Sequence, residues 1–279
     1  MAKVAVIGGG RMGSGIAHAY LLAGHEVYLV EANNEASISA RDRIKKLIQT
    51  SIDRGSDVSL AEVSDRLTFL TKIDDLPKCR IAIEAVPEMP SIKNEVLGRL
   101  DSVLSKDAII ASNTSSISIN ELANSLRFPE RFVGMHFFNP VPASQLVEIV
   151  FGSKTKNSTT EIARESVVSI GKTPIIVGDS PGFATSRLGL VIGLEAIRMV
   201  EEGVASAEDI DKGMVLGYKY PIGPLKLTDM VGLDVRLAIA EYLFSQLGAR
   251  FEPPTLLRKM VSEGKLGQKS GEGFYKWEK

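Results

Sequence analysis

Cysteine is almost missing from this sequence: Cys79, in Pro77-Lys-Cys-Arg80, is the only one in 279 residues. A single thiol closes no internal disulfide and supplies no thiolate metal cluster. With no base beside it in the chain, it reads as incidental rather than reactive. An excess of charge of either sign is missing too. Lys and Arg total 33 against 34 Asp and Glu, a net charge of -1, so the basic surplus of a general nucleic-acid binder is not there. No apolar run approaches the ~20 residues needed to span a bilayer. The first strand pattern begins at Lys3, leaving no room ahead of it for a charged leader and apolar signal core. These absences predict a cytoplasmic protein that binds neither nucleic acid nor membrane.

What remains is ordinary globular composition, 44% hydrophobic and 24% charged, long enough for one large domain or two. Lys3-Val-Ala-Val-Ile7 is a short β-branched run of the kind expected for a parallel strand covered on both faces. It leads into Gly8-Gly-Gly-Arg-Met-Gly13, then a helical pattern over 14–23 ended by Gly24, then a second strand pattern, Glu26 to Val30, ending at Glu31. A bare G-x-G-x-x-G is a weak signal. One that follows a strand, opens a helix and precedes an acidic residue at the end of the next strand is strong. Gly8 permits the tight turn, Gly10 lets the backbone approach a pyrophosphate, and Gly13 allows close helix packing; Arg11 and Met12 complete the loop, and the helix N-terminus presents unpaired N–H groups to the anion. Glu31 would bond the adenosine ribose and repel a 2′-phosphate, which favours NAD over NADP.

A helix is expected over 34–54, with Arg41, Arg43, Lys45 and Lys46 crowded on it, either a solvated face or a grip for a phosphorylated tail. Strand patterns at 67–70, 81–85 and 109–112 alternate with helical stretches such as 90–103. That alternation predicts an α/β fold with a doubly wound sheet. The strand at Ile109 ends in Ser112-Asn-Thr-Ser-Ser116, where ligands of open α/β sheets gather. Asn113 and Ser115 are candidates for holding substrate or nicotinamide; equally, Ser115 or Ser116 could cap the helix expected from Ile119.

The working centre is placed in Val133 to Val150. Two strand patterns, 132–137 and 146–150, flank a loop stiffened by Pro140 and Pro142. His136 and Glu148 are each embedded among apolar neighbours, where an ionisable group is costly unless paired. Facing each other they form a proton-transfer pair; apart, they are a satisfied core histidine and an unrelated glutamate. A helix over 158–170 and a last strand over 174–177 follow, and from Phe183 onward the patterns are helical without strands: 188–202, 207–216 and 233–247, broken by Tyr220-Pro-Ile-Gly-Pro224. The turn residues Pro181 and Gly182 mark a boundary, giving a Rossmann-type domain over 1–182 and an all-helical domain over 183–279.

The glycine loop, Ile83-Glu-Ala-Val-Pro-Glu88 with Lys93, the serine loop, His136-Phe-Phe-Asn-Pro140 with Leu146-Val-Glu148, Pro181-Gly-Phe183, Gly232-Leu-Asp234 and Leu266-Gly-Gln-Lys-Ser-Gly-Glu-Gly-Phe-Tyr275 occur in this order along the chain. In these motifs, over nearly its whole length, the sequence resembles the 3-hydroxyacyl-CoA dehydrogenases, particularly the single-function bacterial 3-hydroxybutyryl-CoA type. The resemblance implies a general base at His136, an orienting carboxylate at Glu148 and a substrate-oxygen donor at Ser115. It places cofactor contacts at Glu88, Lys93, Ser115, Asn139 and Lys269, with an acyl-CoA substrate and a homodimer formed through the helical domain. One position departs. Where the family pattern reads Pro-Gly-Phe-x-x-Asn-Arg, this chain has Pro181-Gly-Phe-Ala-Thr-Ser-Arg187, so Ser186 stands in for an asparagine near the reacting carbonyl. A serine there leaves a dehydrogenase of free hydroxy acids, of the carnitine or gulonate kind, as an alternative. A non-catalytic NADH-binding protein of the lens-crystallin kind is a further one.

Overall fold

In the computed structural model, residues 1–278 are described, and the chain divides into two compact units, Met1–Asp179 and Ser180 onward. The division falls three residues before the expected boundary after Gly182, just ahead of the turn at Pro181 and Gly182. The last strand runs to Gly178, and the Asp179 carboxylate then takes bonds from the Ser118 hydroxyl and from the backbone and side chain of Asn120. Asp179 is thereby tied to the first unit.

The first unit runs β1 (Lys3–Ile7), α1 (Arg11–Leu22), β2 (Glu26–Val30), α2 (Asn34–Asp53), α3 (Leu60–Asp65), β3 (Leu67–Leu70), β4 (Ile81–Glu84), α4 (Pro90–Val103), β5 (Ile109–Ser112), α5 (Ile119–Ala123), β6 (Phe132–Phe137), β7 (Leu146–Phe151), α6 (Asn157–Ser169) and β8 (Thr173–Gly178). Eight strands form one sheet in the order β3-β2-β1-β4-β5-β6-β7-β8. Neighbours are parallel except β6 and β7, which run antiparallel. The order reverses between β1 and β4, so the crevice for a ligand lies outside the carboxyl ends of those two strands. Strands 81–84 and 109–112 are buried along their full length, which is why they read as continuous apolar runs rather than alternating ones.

The first helix starts earlier than its pattern suggested. Gly10, in extended backbone, is its N-cap, and Arg11 to Gly13 are already helical. A Cβ on Gly13 would lie 1.8 Å from the Gly8 carbonyl oxygen, so the glycine that looks like part of a loop is the helix residue on which the loop folds back. His18 on the same helix is 2% exposed, with Nε2 2.9 Å from the Ser51 hydroxyl. Burial pushes its pKa down to about 4; the Leu47 carbonyl opposes this, and the Lys172 charge adds to it. The unfolded chain therefore takes up a proton near pH 6.5 that the folded one refuses until about pH 4. Stability should fall as pH drops through that window, by at most about 3 kcal/mol from this group. Denaturant midpoints between pH 7 and pH 4.5 should show the slope in the native protein and a shallower one in His18→Gln.

The second unit holds α7 (Thr185–Glu201), α8 (Ala207–Lys212), a π-helical turn (Gly213–Gly217), α9 (Pro224–Val231), α10 (Leu233–Leu247) and α11 (Thr255–Ser262) around a core that includes Leu190, Leu194, Leu225, Leu243, Phe251 and Leu257. Its strand-like features among the described residues are two isolated bridges near the C-terminus. There the Asp229 carboxylate accepts bonds from the backbone of Phe274 and Tyr275 and from the Trp277 indole. This explains the Gly-Glu-Gly-Phe-Tyr run: a Cβ on Gly273 would strike Asp229 at 2.2 Å.

Candidate active site

The crevice predicted by the strand order is present as a cleft of about 860 Å³, bordered by Gly8 to Met12, Glu31, Arg43, Val86, Ile92 and Arg99 among others. Gly8 has φ +92°, and a Cβ there would come 2.9 Å from the Ala85 carbonyl oxygen. Gly10 differs: beyond its own chain neighbours, a Cβ on it would meet nothing among the described residues within 4 Å. The open space beside it suits close approach of a ligand. The uncapped N-terminus of α1 aims its first amides there. The donor set and the cradle fit a dinucleotide pyrophosphate.

Glu31 has a role that the sequence did not disclose. Its Oε1 accepts the Gly9 amide at 2.7 Å, while Arg43 donates from Nε and Nη2 to the Gly9 carbonyl at 3.1 and 2.8 Å. The Gly9 peptide is held on both sides, and Arg43 is thereby directed to the loop, rather than being one more member of a solvated basic face. Arg41 packs over the Phe69 ring at 4.6 Å.

Beyond β4 and β5 lies a buried polar network. Lys93, 1% exposed, donates to Glu84 Oε1 at 2.7 Å and lies 3.1 Å from Glu88 Oε2. Glu84, fully buried, also accepts the Val86 amide and the Ser112 hydroxyl. Glu88 Oε1 gathers the Thr114 hydroxyl at 2.5 Å, the amides of Ser115 and Ser116, and the Ser116 hydroxyl. Burial pushes the Glu88 carboxyl up, but the Thr114 hydroxyl and the Lys93 ammonium, with the Ser115 amide, outweigh it and hold the group below the ordinary glutamate range. The serine loop is thus shaped by a carboxylate, which takes the backbone of Ser115 and leaves its hydroxyl outside these bonds. Neither Ser115 nor Ser116 caps α5; that is Ser118, which accepts the Glu121 amide. Glu84 stands inside the Ile83 to Glu88 motif with no role assigned from the sequence, although a carboxylate closing Ile81-Ala-Ile-Glu84 is the same kind of signal as Glu148.

His136 on β6 and Glu148 on β7 are direct register partners, with Nδ1 2.8 Å from Oε2. They are 7% and 0% exposed. The Phe138 ring lies 4.5 Å from the imidazole, and Asn113 Oδ1 accepts the Phe137 amide at 2.9 Å. Asn113 thus braces the strand that carries the histidine. Lys172 donates to the carbonyl oxygens of Val141 and Ser144, fixing the loop after Asn139, itself exposed. In the second unit, Ser186 is half-buried on the first turn of α7, and Lys269 donates to Asp234 at 2.6 Å. Lys269 holds the Asp234 carboxyl below the usual aspartate range. Cys79 is buried, which pushes its thiol up to about 11 and keeps it inert. No helix among the described residues is long and apolar enough to cross a membrane.

Comparison with known proteins adds two family models and several relatives. Residues 3–180 match the model described as 3-hydroxyacyl-CoA dehydrogenase, NAD binding domain, and residues 182–277 match the model of the C-terminal domain of the same family. The 3-hydroxybutyryl-CoA dehydrogenase of Clostridioides difficile is 39% identical over 280 residues, covering 99% of this chain and 100% of the relative. The human mitochondrial hydroxyacyl-coenzyme A dehydrogenase is 37% identical over 284 residues, 98% of this chain and 90% of its own. A crystal structure of (S)-3-hydroxybutyryl-CoA dehydrogenase from Ralstonia eutropha matches with a TM-score of 0.93 and 38% identity over the whole of both chains.

Proposed function

The chain belongs to the 3-hydroxyacyl-CoA dehydrogenase family, and on that premise we propose that it catalyses the reversible, NAD-dependent oxidation of a short-chain (S)-3-hydroxyacyl-CoA to the 3-ketoacyl-CoA, with His136 as general base. The observation that supports this assignment of the base is the buried His136–Glu148 pair, 2.8 Å apart. With Nδ1–H donated to the carboxylate, Nε2 carries the lone pair that takes the proton from the C3 hydroxyl. Glu148 holds the ring in that tautomer and stabilises the imidazolium that forms. NAD, when bound, supplies the nicotinamide that accepts the hydride from C3. Ser115 and Ser186 are assigned to the substrate oxygen, and Glu88, Lys93, Asn139 and Lys269 to the cofactor side. The exposed apolar side chains Leu188, Met230, Val231, Val235 and Phe244 of the second unit support a homodimer formed through it. A cytoplasmic location fits the absence of a membrane-crossing helix among the described residues. Following NADH absorbance with acetoacetyl-CoA beside free 3-keto and hydroxy acids tests the assignment. Turnover confined to a free acid would sink it.

Glu31 is expected to set the preference for NAD. Glu31→Gln keeps an acceptor for the Gly9 amide and removes only the charge. The ratio of kcat/KM for NAD over NADP should fall by about tenfold or more, because the 2′-phosphate no longer meets a carboxylate. An unchanged ratio would take Glu31 out of this role.

A further inference from the structure

The end of β6 that carries His136 stands clear of the strand on one side of it. Register partners between β5 and β6 run from Ile110 and Phe132 to Ser112 and Gly134 and stop there, short of Met135 and His136. On the other side β6 stays paired to its end, His136 with Glu148 and Phe137 with Val147. An antiparallel ladder turns alternate residues toward and away from the partner strand. The Phe137 amide donates to Asn113 Oδ1 at 2.9 Å, so it faces the β5 side, and the His136 amide faces β7.

Past Ser112, the half-buried carboxamide of Asn113 therefore takes the place of the ladder that has ended. Because its partner is an N–H, the side-chain oxygen and not the nitrogen points at Phe137, and Nδ2 makes no bond among the described residues. Asn113 is itself fixed. Its amide donates to the Glu84 carbonyl at 2.8 Å, and the next residue, Thr114, gives its hydroxyl to Glu88. Phe137, by contrast, is the last residue of β6, and the next side chain, Phe138, lies with its ring 4.5 Å from the imidazole. Without Asn113 this strand end would be held from the β7 side alone.

We propose that Asn113 is a positioning residue of the dehydrogenase reaction: by holding the Phe137 amide it fixes where the His136 imidazole stands relative to the hydroxyl it deprotonates. This rests on His136 as the general base. The carboxamide suits the task because it reaches one strand across with an acceptor at a set distance. It also brings no charge to a site where a buried carboxylate already faces the imidazole.

The test follows acetoacetyl-CoA reduction by Asn113→Ala and Asn113→Asp, with NADH affinity from fluorescence titration. Asn113→Ala removes the acceptor and should lower kcat by about ten- to a hundredfold, the cost of misplacing a reacting group by about 1 Å. Its KM for the thioester and its Kd for NADH should stay within about twofold of native. Asn113→Asp keeps an oxygen at the same reach and should return kcat to within about fivefold of native. Added to His136→Gln, Asn113→Ala should cost no more than about twofold further, because the base it places is gone. Near-native kcat in Asn113→Ala would overturn the proposal. So would equal losses in the alanine and aspartate variants, which would give the role to Nδ2, and so would additive losses with His136→Gln, which would put Asn113 on the reacting atoms itself. A rate that falls only as far as the folded fraction read by circular dichroism would leave Asn113 a structural residue and overturn the proposal too. If His136→Gln alone keeps near-native turnover, the base assignment fails and this inference with it; a slow His136→Gln beside a fast Asn113→Ala sinks this inference alone.

Discussion

Replacing His136 by glutamine is expected to lower kcat by about 10²–10⁴-fold, the range a positioned general base contributes, while NADH affinity, read by fluorescence titration, stays at the wild-type value. His136 is 7% exposed and bonded to a fully buried carboxylate, and glutamine keeps a donor toward Glu148 without a basic lone pair. None of the residues bordering the glycine cleft is His136 or its strand neighbours, so cofactor binding has no reason to follow the loss. Glu148→Gln should lose less, because the imidazole remains although its tautomer and cation are less well supported. The double variant should be barely slower than His136→Gln, since a residue that acts through the histidine has nothing left to act on. Additive losses in the double variant would mean that Glu148 contacts the reacting atoms itself. Near-native turnover by His136→Gln would remove the histidine from the base role.

The parts of the fold that were legible are those where local chemistry and topology coincide. The βαβ unit at residues 3–30 could be placed because β-branched strands, glycines with fixed steric reasons and a helix stop follow one another without a gap. The sequence leaves open whether His136 faces Glu148, since strand pairing is not written in a single strand; the antiparallel β6–β7 ladder decides it. Glu31 shows the opposite limit. Its sequence position pointed to the ribose, but its bond to the Gly9 amide depends on how the loop folds back, which no spacing encodes. Glu84, quoted inside a motif, has no role assigned from the sequence for a third reason. It is a charged residue within an apolar pattern, where periodicity treats it as noise, and only burial separates a snorkelling side chain from a trapped one.

The buried network behind the serine loop carries the second large expectation. Lys93→Met should lower folding stability by about 3–5 kcal/mol, the usual result of stripping the partner from a buried charge. Glu84 is fully buried and, among the described residues, is paired with the Lys93 ammonium at 2.7 Å; the Val86 amide and the Ser112 hydroxyl remain but carry no net charge. Glu88, with 38% side-chain exposure, can recover solvent and should suffer less. Because Glu88 also holds the Thr114 hydroxyl and the Ser115 and Ser116 amides, loss of the lysine loosens the loop that presents Ser115. The double variant Glu84→Gln/Lys93→Met separates the two effects. With both buried charges gone it should regain most of the lost stability in a denaturant titration, yet its KM for NADH should stay raised, because the ammonium beside Glu88 is still missing. A double variant that recovers stability and cofactor affinity together would reduce Lys93 to a structural counter-ion, whereas one that recovers neither would show that the lysine stem, packed at 1% exposure, matters more than its charge.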